Sequence, residues 1–248
     1  MLLLVTQTPD QALPTTACRV HHHLGLSQHC GAIDLNQGCS GYIYGLAMAE
    51  GLISSGSANS VLLITADTYS KLTDPNDKSV VTLFGDGATA TFVTQDLSPN
   101  ASGIGPTRFG TDGSGANLLC CDYTGWRVPH SQQKPLYMDG AAVLTFTLFV
   151  LPKALQEYLE ETNHTIDDYD AIVFHQANKF ILEKLYAKTG IADKGIIEME
   201  KSGNTVSSTI PLVLEKMLLD SHAKPSRKVL LAGFGAGLSW GFCTIILP

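Results

Sequence analysis

Apolar positions along this chain follow two habits. Short continuous runs, such as Leu2-Leu3-Leu4-Val5 and Ala171-Ile172-Val173-Phe174, are bounded by polar or turn residues and predict buried strands. Longer stretches carry apolar residues at helical spacing, as at Ile43, Leu46, Ala47, Leu52 and Ile53. On this pattern strands are expected over 2–6, 31–35, 61–66, 88–94, 171–174 and 195–199, with two more flanking Gly233-Phe234-Gly235-Ala236-Gly237. Helices are expected over 15–24, 42–55, 140–161, 178–189 and 205–219. Residues 96–137 are richer in Gly, Asp, Ser and Pro, which predicts a loop-rich connection holding at least one short strand.

Alternating strands and helices indicate an α/β fold with a parallel-rich sheet covered by helices. The two ends of the chain also repeat. The first strand matches 171–174, the turn at Cys39 matches the turn at Ser202-Gly203-Asn204, and each unit closes on a strand pair. Stacking two such units predicts a five-layered αβαβα sandwich, divided as residues 1–95 and 96–248. The first unit has no counterpart of the 140–161 helix, so the repeat predicts that roughly 70 upstream residues are missing from it.

Composition narrows the class. With 44% hydrophobic and 16% charged residues, the chain of 248 suits a well-buried enzyme. A net charge of −7 with no basic run argues against nucleic acid as a partner. No apolar run reaches membrane-spanning length, and Met1 to Val5 is too short for a leader. Six cysteines without CxxC spacing read as reduced thiols of a cytoplasmic protein. Cys120-Cys121 reads as packing or free thiols, since a disulfide between adjacent residues is strained. His21-His22-His23, with His29 and Cys30 nearby, offers no i, i+4 histidine pair, so no metal is expected. Gly85-Asp86-Gly87 lacks the Lys-Ser/Thr ending of a phosphate loop and precedes a strand, so it reads as a close-packed turn. Asp74-Pro75-Asn76-Asp77 is turn chemistry.

The chemistry converges on strand ends, where ligands bind in such folds. Cys39, in Asn36-Gln37-Gly38-Cys39-Ser40-Gly41, stands at a strand-to-helix junction. Free N–H groups and the helix dipole there are expected to favour its thiolate, and the flanking glycines permit a sharp turn. His175 follows the 171–174 strand and Asn204 follows the 195–199 strand. A thiol, an imidazole and an amide around one pocket suit acyl transfer, with a nucleophile and donors for charge developing on a carbonyl oxygen. Taken singly each has a plainer reading, as packing, a structural histidine or a turn residue. Their matched places in the repeat favour the site.

Taken in order, Pro14-Thr15-Thr16-Ala17-Cys18, Gly38-Cys39-Ser40-Gly41, Asp74-Pro75-Asn76-Asp77, Phe84-Gly85-Asp86-Gly87-Ala88, His175-Gln176-Ala177-Asn178, Gly203-Asn204-Thr205 and Gly233 to Gly241 carry a resemblance. The chain resembles the β-ketoacyl-acyl-carrier-protein synthase III group of thiolase-fold enzymes, minus an amino-terminal segment. The resemblance implies a cytoplasmic homodimer of fatty-acid or related biosynthesis, with acyl-CoA and malonyl-acyl-carrier protein as partners and no cofactor beyond the CoA thioester substrate. Cys39 would take the acyl group, while His175 and Asn204 hydrogen-bond the malonyl thioester carbonyl as carbon dioxide leaves. Backbone N–H groups of Cys39 and Ala236 would form the oxyanion hole, with Phe234 lining the site. Leu13 falls where the family's dimer inserts a residue into its partner's acyl tunnel, and an apolar helix beside it is expected to offer the dimer surface. Lys78 replaces the arginine that commonly stacks on the CoA adenine, a contact lysine makes less well. Phe180 replaces a basic residue of carrier-protein docking, which leaves Lys179 and Lys184 close by, and Ser202 stands where histidine or an aromatic is usual. The rival readings are acyl transfer to an oxygen or nitrogen acceptor without decarboxylation, with His175 as base, and a non-catalytic partner subunit.

Overall fold

The computed structural model describes residues 1–95, 103–123, 125, 127–220, 222 and 226–247. The opening of the loop-rich connection, 96–102, thus lies outside the described residues. The elements are β1 (Leu2–Val5), α1 (Thr16–His23), β2 (Ala32–Leu35), α2 (Gly41–Ser54), β3 (Ser60–Asp67), α3 (Lys78–Val81), β4 (Gly87–Thr94), β5 (Gly103–Thr111), β6 (Leu119–Cys120), β7 (Tyr137–Met138), α4 (Gly140–Thr162), β8 (Ala171–Phe174), α5 (Lys179–Thr189), α6 (Thr209–Leu219), β9 (Arg227–Gly235) and β10 (Ser239–Leu247). Side chains cap two helices of the second half: Asp139 accepts from the Ala142 N–H at 2.9 Å to start α4, and Asn178 from the Ile181 N–H at 2.8 Å to start α5. Gly190, at φ +71°, ends α5.

Two four-stranded sheets carry the fold, in the orders β2-β1-β3-β4 and β5-β10-β9-β8. Between them lie α2 and α6. Leu3, Val5 and Leu63 of the first sheet meet Ile43 of α2, Val213 of α6, and Val229 and Leu231 of the second sheet in one core. A helix buried on both sides must be apolar nearly all round, which is what the α2 sequence supplies. On the far face of the second sheet, Leu151 and Leu155 of α4 and Leu182 and Leu185 of α5 cover Ile172 and Leu230. On the far face of the first sheet, Ala17 of α1 covers Leu2 and Leu4. The layers therefore run αβαβα, as expected. Trimming any of the fully buried leucines to alanine would cost about 2–5 kcal/mol.

The structure departs from the sequence reading in five places. The sheets are half antiparallel rather than parallel-rich, because β3–β4, β9–β10 and β5–β10 run antiparallel while β1–β2, β1–β3 and β8–β9 run parallel. Residues 195–199 form no strand beyond a single bridge from Gly195 to Ile172. Side chains take the place of a ladder there: Gln176 Nε2 and the Tyr186 hydroxyl both donate to the Ile196 carbonyl, and the Glu198 N–H donates to Gln176 Oε1. The helix expected from 205 starts only at Thr209, after a 3-10 turn at Val206–Ser208 in which Val206 has φ +57°. Gly233 to Gly235 belong to β9, so the turn into β10 is confined to residues 236–238. Finally, the helix beside Leu13 is not the apolar surface expected for a dimer: α1 carries Arg19 and three histidines and buries only Ala17.

The halves match as the repeat predicts, with β8, β9 and β10 answering to β1, β3 and β4. β10 carries β5 on its outer edge, whereas β4 has no neighbour there among the described residues. No described helix is long and apolar enough to cross a membrane.

Candidate active site

Cys39 stands at the end of the short β2–α2 connection, and α2 begins two residues later because Gly41 can turn back on the Gly38 carbonyl. The thiol is 5% exposed. It rests against β9, where Gly235 passes so close that a Cβ there would lie 2.9 Å from Sγ. The alternation of β9 puts Gly233 and Gly235 against the start of α2 and sends Phe234 to the other face. The backbone N–H groups of Cys39 and Ala236 lie near enough to the sulfur to favour its thiolate. Those are the two donors expected for an oxyanion hole.

His175 continues β8, with its N–H on the Ala232 carbonyl at 2.7 Å, and is 2% exposed. Its ring stands edge-on to Phe234 at 5.5 Å. Nδ1 meets Thr209 Oγ1 at 2.7 Å, so Nε2 is the nitrogen left for a substrate. The Thr209 hydroxyl has a second acceptor, the Val206 carbonyl at 3.2 Å. When it donates to Nδ1, Nε2 carries a proton; when it donates to Val206, Nε2 is bare.

Asn204, 5% exposed, is seated by the first half of the chain. Its N–H donates to the Leu83 carbonyl at 3.0 Å, and its carbonyl accepts the Gly85 N–H at 3.0 Å. Only glycine fits at 85, since a Cβ would lie 2.1 Å from the Ser202 oxygen. The Gly85-Asp86-Gly87 turn is therefore a seat for the Asn204 loop. Asn204 Oδ1 accepts the Val206 N–H at 2.9 Å, which leaves its NH₂ for the cavity.

Cys39, His175, Asn204 and Phe234 line one cavity of about 280 Å³, whose other walls include Leu119, Val143 and Phe146. A larger groove of about 790 Å³ runs along β4 and α6, away from these residues. The electrostatics correct one expectation. Burial, with the Asp67 carboxylate second, pushes the Cys39 thiol up to about 12, against the pull of its two N–H partners. The helix start alone does not make a thiolate here, and Cys39 rests as a thiol. Burial likewise lowers His175 to about 3, so its imidazole is neutral. A neutral base and a neutral thiol share one buried pocket.

The remaining expected residues lie at the rim or beyond. Ser79 lines the cavity, and Lys78 is exposed beside it at the start of α3. Asn178 and Ile181 line the cavity from α5, which exposes Lys179 and Lys184, the latter with its ammonium 5.6 Å from the Phe180 ring. Leu13 is 82% exposed and does not reach this cavity. Among the described residues no cluster of His, Cys, Asp and Glu could hold a metal ion. Sequence reasoning missed Thr209, Asp67 and Gly235, although Asp67 ends a strand and so occupied a position worth testing.

Comparison with known proteins identifies the family. Residues 33–113 match the family described as 3-oxoacyl-[acyl-carrier-protein (ACP)] synthase III, and residues 159–246 match its C-terminal region. The chain is 35% identical to the β-ketoacyl-[acyl-carrier-protein] synthase III of Lactococcus lactis, over 99% of this chain and 77% of that protein. A crystal structure of a 3-oxoacyl-(acyl-carrier-protein) synthase III superposes with a TM-score of 0.94 at 44% identity, covering 100% of this chain and 77% of the other. The synthase III of Pseudomonas aeruginosa does so with a TM-score of 0.90 at 33% identity, covering 100% and 76%.

Proposed function

Since the chain belongs to the 3-oxoacyl-[acyl-carrier-protein] synthase III family, condensing acyltransferases of fatty-acid biosynthesis, we propose that it joins an acyl-CoA primer to a malonyl-acyl-carrier protein through an acyl-Cys39 intermediate. The observation that carries this reading is the single cavity shared by a buried thiol, a neutral imidazole and an oriented amide.

In the first step the Cys39 sulfur attacks the primer thioester. His175, in the form with bare Nε2, takes the thiol proton and hands it to the departing CoA sulfur, so acyl-Cys39 and free CoA result. The N–H groups of Cys39 and Ala236 stabilise the oxyanion. In the second step the bond from the malonyl carbon to its carboxylate breaks, carbon dioxide leaves, and the electron pair forms an enolate. Nε2–H of His175, with Thr209 donating to Nδ1, and the Asn204 amide hold the enolate oxygen. The enolate carbon then attacks the acyl carbonyl, the carbon–sulfur bond breaks, and the departing Cys39 thiolate takes one proton from solvent. Neutral donors in a water-poor site each contribute on the order of 3 kcal/mol to such a step.

The apolar walls suit an acyl chain. Lys78 would meet CoA phosphates or adenine at the mouth, and Lys179 and Lys184 an acidic carrier protein. Leu13, being exposed, would serve a homodimer partner. Six free cysteines fit a cytoplasmic setting.

Incubation with a series of acyl-CoAs, followed by intact mass, should show one acyl adduct that Cys39→Ser abolishes. Labelled malonyl-carrier protein should then release carbon dioxide. Acyl transfer without that release would replace this reading by transfer to an oxygen or nitrogen acceptor. Absence of any adduct would leave a non-catalytic subunit.

A further inference from the structure

Asp67 ends β3, is 1% exposed, and has no part in the chemistry above. Its carboxylate lies where the two halves meet. Oδ1 accepts the Gln7 N–H at 2.8 Å, while Oδ2 accepts the Ser207 hydroxyl at 2.5 Å and the Ser207 N–H at 3.4 Å. Ser207 directly follows Val206, whose φ of +57° is a backbone state that a β-branched residue keeps only when its surroundings hold it there. That state has a consequence for the site. It turns the Val206 N–H onto Asn204 Oδ1 at 2.9 Å, which is the bond that fixes which end of the amide faces the cavity. The backbone bonds of Asn204 to Leu83 and Gly85 place the residue but say nothing of how its amide is rotated.

We propose that Asp67 is a positioning residue: by pinning Ser207 it holds Val206 in its left-handed state and so aims the Asn204 NH₂ at the substrate carbonyl. The inference rests on the reading of Asn204 as a donor in the decarboxylating step. It assigns Asp67 to that step and not to acylation of Cys39, because the clamp runs to the amide and not to the thiol.

The variants are Asp67→Asn and Ser207→Ala in the full-length protein, with Asn204→Ala as control. Asparagine keeps the shape of aspartate but replaces one acceptor oxygen by a donor, so whichever way its amide turns, the N–H of Gln7 or of Ser207 loses its acceptor. Decarboxylation of malonyl-carrier protein by preformed acyl-enzyme is expected to fall on the order of 30-fold or more in kcat for Asp67→Asn and about 5-fold for Ser207→Ala, with KM little changed. The rate of Cys39 acylation, read by intact mass, is expected to change less than about 3-fold in Ser207→Ala, and in Asp67→Asn, which also removes a charge that disfavours the thiolate, to hold or rise rather than fall. Equal loss in the two half-reactions, or loss in neither, overturns the proposal; if Asp67→Asn does not fold, Ser207→Ala decides. An Asn204→Ala protein that decarboxylates normally overturns the reading of Asn204 and the clamp with it. One that fails while Asp67→Asn and Ser207→Ala work normally overturns the clamp alone.

Discussion

The turn before α2 and the turn before α6 occupy matching places in the two halves, yet they hold their functional residues by opposite means. At the first, Cys39 is placed by subtraction. Side chains are missing at Gly38, Gly41, Gly233 and Gly235, so strand and helix backbone close around the sulfur. At the second, Asn204 is placed by addition. Leu83, Gly85, Val206 and, through Ser207, Asp67 supply hydrogen bonds, and α6 starts late to make room for them. A nucleophile that must move little and meet a carbonyl head-on needs space. An amide that must present one end rather than the other needs partners. The first turn should therefore fail when volume is added, and the second when a polar group is changed.

Gly235→Ala should break the first turn most completely. The new methyl would lie 2.7 Å from the Cys39 Cβ, where nothing flexible can yield, so β9 or the nucleophile has to shift. Overpacking of this kind costs about 1–3 kcal/mol in stability. Misplacement of the reacting sulfur by about 1 Å should slow acylation about 100-fold. Thermal unfolding with acyl-adduct formation by mass checks both, and a normally folded variant that acylates at the parent rate would refute placement by subtraction.

Protonation sets the two sides of the site against each other. Burial raises Asp67 to about 6 and lowers His175 to about 3. For Asp67 the folded state binds the proton more tightly than the unfolded chain, whose carboxyl titrates near ~3.9. Its contribution to stability is full below that value and is lost as pH rises through 6. For His175 the sign reverses: the contribution is present above about 6.5 and is lost as pH falls toward 3. Between about pH 4 and 6 the two offset. Asp67→Asn removes one of them, so its denaturation midpoint should fall more steeply than the parent's across that window, by on the order of 2–3 kcal/mol in all. Parallel curves for parent and variant at pH 4, 5, 6 and 7 would show that Asp67 does not titrate in this way.

How much of this was legible in the sequence follows from what each feature depends on. The β1 and β8 runs, the glycines around Cys39 and the strand-end place of His175 are local patterns, and they read correctly, whereas Asn204 is expected after a strand that does not form. The charge on Cys39 did not. A helix start is visible in sequence, but burial and the Asp67 carboxylate, which together outweigh it, are not. Residues 195–199 have the pattern of a strand, yet Gln176 and Tyr186 take up their hydrogen bonds. Asp67 and Ser207 stand 140 residues apart, and neither carries a motif. Pairings across the halves become visible only once the halves are stacked.

The smallest expected effect tests whether every polar group at the second turn has work to do. Thr205, next to Asn204, is buried, and its hydroxyl has no partner among the described residues. The absent side chain of Gly87 is what lets it pack, since a Cβ there would lie 2.8 Å from the Thr205 Cβ. A buried hydroxyl without a partner costs about 1–3 kcal/mol, and valine has the same shape with a methyl in its place. Thr205→Val should therefore raise the unfolding midpoint, by about 2–4 °C for a protein of this size. That would mark Thr205 as a residue placed by shape inside a turn otherwise placed by hydrogen bonds. A lower midpoint would mean instead that the hydroxyl is bonded in solution, and that addition governs the whole of the Asn204 turn.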